Sequence, residues 1–228
     1  MDYRLKRSKR KSVGIYITKQ AEVEVRAPLH CPVEWIDAFV SSRMDWILEH
    51  QQQARQRVEA RQNFSIQFGD TVLYLGKKYT ILPGQDSRLE GEKLLFPDNG
   101  RKDLRPALFM WYRNMAGKRI PERVEYYQKL TGWTASAVKI SAAYARWGSC
   151  SGKNSLNFSW RLIMVPLEAL DYVVVHELAH TVEHNHSKSF WHLVETILPD
   201  YQKRQKMLRV WEKQLALQNW EEIQTMPR

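Results

Sequence analysis

Apolar positions along the first sixty residues change their period once. Val13, Ile15 and Ile17, then Val23 and Val25, alternate with polar neighbours around Lys19-Gln20, predicting strands over Lys11–Thr18 and Glu22–Arg26. From Pro32, a residue suited to a first helical turn, Ile36, Phe39, Val40, Arg43 and Ile47 recur at helical spacing with Trp35 and Trp46 beside them. The polar run Gln51–Gln62 continues that helix outward, where it frays, and the composition shifts near Asn63. Residues 66–96 read as two hairpins: Thr71–Leu75 and Lys78–Leu82 about Gly76-Lys77, then Ser87–Phe96 about Glu90-Gly91. Helical spacing returns from Leu104 to Leu130 through Leu108, Trp111, Tyr112, Met115, Val124 and Tyr127, with Pro121 dividing the stretch into two helices.

The C-terminal third begins with strand-like segments, Val138–Tyr144 and Ser155–Arg161, joined by a turn over Ser149–Asn154. Pro166 then opens a segment apolar on nearly every side (Leu167, Leu170, Val173, Val174, Val175, Leu178, Val182), as a helix inside a core would be. Tyr201–Leu217 reads as a basic helix packing through Met207, Val210, Trp211 and Leu215. It carries no assigned chemistry, and the tail loosens from Gln218. These divisions give parts 1–62, 63–130 and 131–228, packed together as one compact α+β unit.

Composition narrows the class. With 43% hydrophobic and 26% charged residues the 228-residue chain is ordinary globular material. No stretch approaches the roughly 20 apolar residues of a membrane span. The basic N-terminus lacks the apolar run of a secretory signal, and two distant cysteines, Cys31 and Cys150, suit a reducing compartment. A cytoplasmic protein is expected. The net charge of +10 sits unevenly: residues 1–145 hold 25 Lys/Arg against 16 Asp/Glu, whereas 146–200 hold 4 against 6. Six basic residues crowd positions 4–11, either a nucleic-acid patch or the solvated face of an edge strand.

The candidate chemistry lies in that less basic segment. His176 and His180 are four residues apart, so on a helix they stand about 40° from each other, one turn apart, and can share one zinc ion. Glu177 sits about 100° round from His176, where its carboxylate reaches a metal-activated water and not the metal, the general-base arrangement of zinc hydrolases. Such groups are costly to bury in an apolar helix without a partner. An open zinc site needs a third protein ligand. His186 is favoured by its spacing of six from His180 and by Asn185 beside it, able to take the left-handed conformation of a turn. Glu183 stands where zinc proteases with such an extended motif have glycine, so the turn is not the same. His184, His192 and Glu195 are the rivals. Arg146 and Arg161 flank the 149–154 turn and can hold a substrate carboxylate or phosphate; alternatively Arg146 anchors the loop on backbone carbonyls. Cys150 reads as a small buried turn residue, since no second cysteine is near it.

Taken together, Arg146-Trp147-Gly148-Ser149-Cys150-Ser151, Leu156-Asn157-Phe158, Trp160-Arg161-Leu162, Asp171 through His180, Asn185-His186-Ser187 and Phe190-Trp191 resemble the YgjP-like metallopeptidase family, related to the SprT-like proteases within the zincin fold. The resemblance is close over about 140–200. It implies a zincin-like catalytic core behind an N-terminal strand-rich part, zinc on His176, His180 and His186, Glu177 as catalytic base, and a zinc-dependent hydrolase commonly assigned as a metallopeptidase. The substrate is left open. An activated water also attacks phosphoanhydrides, so a nucleoside triphosphate pyrophosphohydrolase is one alternative. A nucleic-acid-binding module with structural zinc is another.

Overall fold

The structure, a computed structural model, describes residues 1–144, 146–220 and 223. The architecture is α+β, with six helices and three small sheets among the described residues. Internal contacts divide the chain into two compact units: Met1–Phe64 with Leu217–Asn219, and Ser65–Ala216 with Trp220–Arg228. Most of segments 63–130 and 131–228, distinct in the sequence, belongs to the second unit.

The first unit holds β1 (Arg4–Ser8), β2 (Gly14–Ile17), β3 (Val23–Pro28), α1 (Val33–Ser41) and α2 (Met44–Gln62). Its sheet runs β1-β3-β2, so the crowded basic segment is an edge strand paired parallel to β3. Lys6 and Arg26 both bind the carboxylate of Glu24, at 2.5 and 2.8 Å. Arg7 turns away and donates to the carbonyls of Pro28, Leu29 and Cys31. The expected single helix is broken at Ser42-Arg43. A straight helix would carry Ile47 about 16 Å from Ile36 along its axis. The break returns Ile47 to the core of Val23, Val25, Ala27, Ile36 and Val40. Beyond it α2 stays helical to Gln62 without fraying.

In the second unit β4 (Thr71–Tyr74), β5 (Lys77–Gly84), β6 (Arg88–Glu90) and β7 (Lys93–Pro97) join the two expected hairpins into one sheet, ordered β4-β5-β7-β6. The β4–β5 turn is Leu75-Gly76, with φ of 47° and 76°, the two left-handed residues of the tightest hairpin turn. Its tip is not free. Leu75 N and Gly76 N donate to the carbonyls of Ile163 and Met164 at 2.8 and 3.1 Å, and a Cβ on Gly76 would fall 2.7 Å from Pro166.

Pro121 does not divide the next helix: α3 runs unbroken from Arg105 to Thr131. Leu108, Tyr112, Ala116, Ile120, Val124 and Tyr127 are buried on both sides of the proline. That continuous packing outweighs the roughly 3 kcal/mol cost of an interior proline, and Gly117, whose carbonyl loses its donor, faces open space.

A third sheet, ordered β8-β10-β9, comprises β8 (Ala137–Ser141), β9 (Gly148–Cys150) and β10 (Ser155–Ser159), with β8 parallel and β9 antiparallel to β10. Ser149 and Cys150 thus lie in a strand, and the turn narrows to Ser151–Asn154, where Asn154 has φ of 58°. A 3-10 turn (Trp160–Met164) leads into α4 (Leu167–Ala179), followed by α5 (Lys188–Ile197) and α6 (Tyr201–Leu215). α6 buries Leu208 and Leu215, while Val210 is 65% exposed, so its packing face is rotated from the expected one. The chain does not loosen at Gln218. Trp220 is buried against Tyr112 and Trp160; of the tail beyond it, residues 221, 222 and 224–228 lie outside the described residues.

Candidate metal centre

The β-branched run Val173-Val174-Val175 is a poor intrinsic helix former, yet α4 is helical because it is enclosed. Ala169 to Val175, Leu178 and Ala179 are all buried. Helicity sets His176 and His180 one turn apart, with their ring centroids 5.0 Å from each other. The helix ends at His180, and the following turn brings back His186. Asn185 is not left-handed as expected, since it is absent from the residues with positive φ. Its side chain makes the turn instead: Oδ1 accepts from Ser187 N at 2.8 Å and Nδ2 donates to Glu183 Oε1 at 2.6 Å. Ser187 then caps α5 by accepting from Phe190 N.

His176, His180 and His186 each point one ring nitrogen into a common space, all three within 4.8 Å of one another. His176 Nε2 and His186 Nε2 are 3.1 Å apart. Phe190, fully buried, forms an apolar floor beneath all three rings, with centroids 4.4 to 4.9 Å away. Burial, reinforced by the neighbouring imidazoles, lowers the pKa of His176 to about 3, and burial also lowers that of His180. Neutral imidazoles are the form that ligates metal. The Nδ1 of His180 lies 3.0 Å from the carbonyl of Glu183; donating there, it leaves Nε2 for a metal. The donor set fits a divalent transition ion. His184, His192 and Glu195 are exposed and outside this cluster.

Glu177 is 7% exposed, and burial pushes its pKa up to about 7 against the opposing charge of Arg146. β9 covers it. A Cβ built on Gly148 would lie 2.7 Å from Glu177 Cγ and 2.8 Å from Oε1, so only glycine lets the strand pass this close. Cys150, next but one, is half-buried, and burial together with Glu177 raises its thiol pKa.

The two arginines separate. Arg146 is exposed just before β9. Arg161 is 5% exposed and donates to the carbonyls of Tyr144 and Leu215, with its guanidinium 4.0 Å from the Tyr144 ring. The carbonyl-anchoring role considered for Arg146 belongs to Arg161, which leaves no outward-facing fork for substrate. Sequence reasoning missed what α6 contributes. Tyr201 stacks on Trp191, which stacks on His186, and Gln205 donates to the Tyr172 hydroxyl beside His176. The i, i+4 placement of Tyr201 and Gln205 was the available signal.

Three imidazoles converging in an α+β fold define the class: a metal-dependent hydrolase. The chain belongs to the YgjP-like metallopeptidase family, whose domain model matches residues 11–210. Among solved structures it is similar to the metallopeptidase zymogen abylysin of Pyrococcus abyssi, at 22% identity and a TM-score of 0.38, over 44% of this chain and 97% of that one. No curated protein matches it significantly. No helix among the described residues is long and apolar enough to cross a membrane.

Proposed function

We propose that this chain is a zinc peptidase in which His176, His180 and His186 hold the metal and Glu177 is the general base. The observation that carries the reading is the convergence of three imidazole nitrogens beside a buried carboxyl held against Gly148. A three-histidine set with an open fourth position suits zinc. Bound there, the ion would polarise the scissile carbonyl and make a water acidic enough to ionise near neutral pH.

The remaining work falls to the chain. Glu177 accepts the water's proton and delivers it to the leaving amine. β9 pairs only with β10 among the described residues, so its other edge can take an extended peptide by strand addition. Arg146, at the start of that edge, is positioned to meet substrate. The free thiols of Cys31 and Cys150 suit a cytoplasmic site of action.

Glu177→Gln tests the mechanism: the variant should keep its zinc and lose peptide cleavage. Undiminished cleavage would end the role of Glu177. His186→Ala should lose zinc affinity by orders of magnitude while His184→Ala keeps it, and the reverse result would reassign the third ligand.

A further inference from the structure

Sheet pairing in the first unit gathers side chains that are scattered in the sequence. Val25 of β3 belongs to the core shared with α1 and α2, flanked by Leu5 of β1 and Ile15 of β2, so the adjacent rows face away from the helices. One such row sets Arg4, Glu24 and Tyr16 side by side, and the other sets Lys6, Arg26 and Gly14. Arg10, in the connection between β1 and β2, folds back over Gly14. A Cβ there would meet Arg10 Nη2 and the Tyr16 ring, each at 3.1 Å. Two guanidiniums thus attend one ring, Arg26 at 4.4 Å and Arg10 at 5.9 Å from its centroid. Tyr16 is nonetheless 41% exposed.

Charge in this unit is polarised between its two layers. Residues 1–28, which include all three strands, hold 8 Lys/Arg against 3 Asp/Glu, whereas residues 33–62, the helical layer, hold 4 against 5. Of the three acids on the sheet side, Glu24 is already bound by Lys6 and Arg26. Asp2 and Glu22 stand two residues before Arg4 and Glu24, at the end of the face away from Arg10. Arg4, Lys9 and Lys11 are exposed and make no ion pair among the described residues. Arg10 Nε is shielded from water and finds no acceptor.

We propose that this open sheet face binds single-stranded nucleic acid, with a base stacked at the Tyr16–Arg26 pair and phosphates on Arg4, Arg10 and the lysines beside it. The Nε edge of Arg26 is committed to Glu24 at 2.8 Å, so what it offers a ligand is its plane. Bases stack on guanidinium planes as they do on aromatic rings. A carboxylate would need the guanidinium edges. A membrane would need apolar side chains to insert, and in these two rows only Tyr16 has a ring to offer. A duplex keeps its base faces within its own stack, which leaves unpaired strands as the match. The inference uses no residue of the histidine cluster and is independent of the peptidase reading.

The test measures fluorescence polarisation of the full chain with fluorescein-labelled oligothymidylate of about 12 nucleotides, within the site size of one small domain, and with a duplex of equal length. The single strand should bind more tightly. Tyr16→Ala should weaken it about five- to tenfold, as loss of one stacked base implies, and Tyr16→Phe should keep the affinity. Arg4→Ala should lower the slope of log K against log salt by roughly 0.7, one phosphate contact on a single strand. Arg57→Ala, an equal change of net charge on α2, should have little effect. No binding, or equal affinity for single strand and duplex, overturns the proposal. So does an equal loss in Tyr16→Phe and Tyr16→Ala, or in Arg57→Ala and Arg4→Ala. Inorganic polyphosphate that displaces the strand as well as unlabelled oligothymidylate does, at equal phosphate, would reduce the face to a general polyanion site and overturn it too.

Discussion

Replacing Gly148 with alanine would place a Cβ 2.7 Å from Glu177 Cγ and 2.8 Å from its Oε1. Non-bonded carbons settle at about 3.5–4.0 Å, so something must move by most of an ångström. The strand cannot easily retreat, because Gly148 is registered against Phe158 in the β9–β10 ladder, and α4 is enclosed on its other sides. The Glu177 side chain must therefore rotate out of its place. Overpacking of this kind costs about 1–3 kcal/mol; with a carboxylate side chain able to yield, about 1–2 kcal/mol is expected here. Urea unfolding of the metal-free protein measures it, followed in the near-ultraviolet circular dichroism of the cluster formed by Phe109, Tyr112, Trp160 and Trp220. In a Glu177→Ala background the opposing atoms are gone and the same glycine substitution should cost little, giving a coupling of about 1 kcal/mol or more between the two positions. An identical cost in both backgrounds would refute the contact. In the zinc-loaded enzyme, Gly148→Ala should lower kcat with little change in KM, because the displaced group is the proposed base and not a binding element.

Three further perturbations probe separate parts of the site. The Glu177 pKa is raised from 4.5 to about 7 on folding, so the metal-free folded protein binds the extra proton across that window and loses stability as pH rises through it. Relative to Glu177→Gln, the wild type should therefore fall by roughly 3 kcal/mol between pH 4 and pH 8 in denaturant titrations, a change worked from 1.36 kcal/mol per pH unit; a pH-independent difference would contradict it. Asp171→Asn removes the carboxylate that Arg123 grips at 2.7 and 2.9 Å, and should destabilise by about 2–3 kcal/mol, below the full cost of breaking a buried pair because Arg123 keeps some access to water. Trp191→Ala removes the ring stacked on His186, 5.7 Å away, and should weaken zinc affinity about tenfold in a competitive chelator titration, with Trp191→Phe restoring most of it.

What the sequence disclosed and what it withheld divide along physical lines. The α4 helix and its histidines were readable because local spacing alone fixes where residues i and i+4 point. β2 and β3 were readable from period-two alternation for a similar reason. Pro121 misled because the local cost of proline is paid in a helix whose buried face, from Leu108 to Tyr127, is visible only once α4 is placed against it. Asn185 misled because a side-chain turn closes the chain as well as a left-handed backbone does. Arg146 and Arg161 look alike in sequence. Their difference is one of burial, created by the carbonyls of Tyr144 and Leu215 converging on only one of them. Gly148 gave no sign of its importance, since its constraint is an atom of a residue 29 positions away.

The tip of the β4–β5 hairpin, with its two donors on the Ile163 and Met164 carbonyls and its glycine against Pro166, bears on how separable the site is from the rest of the chain. Exposed hairpin tips are ordinarily where insertions and cleavage are tolerated. This one is a joint, and an inserted residue at Leu75-Gly76 should be felt at the start of α4. A fragment cut to residues 131–228 would keep every histidine of the cluster yet leave those two buried carbonyls without donors. The site is thus no transplantable cassette. Lineages that lengthen loops elsewhere should hold this turn at two residues, and any excised version would need a substitute donor pair in its place.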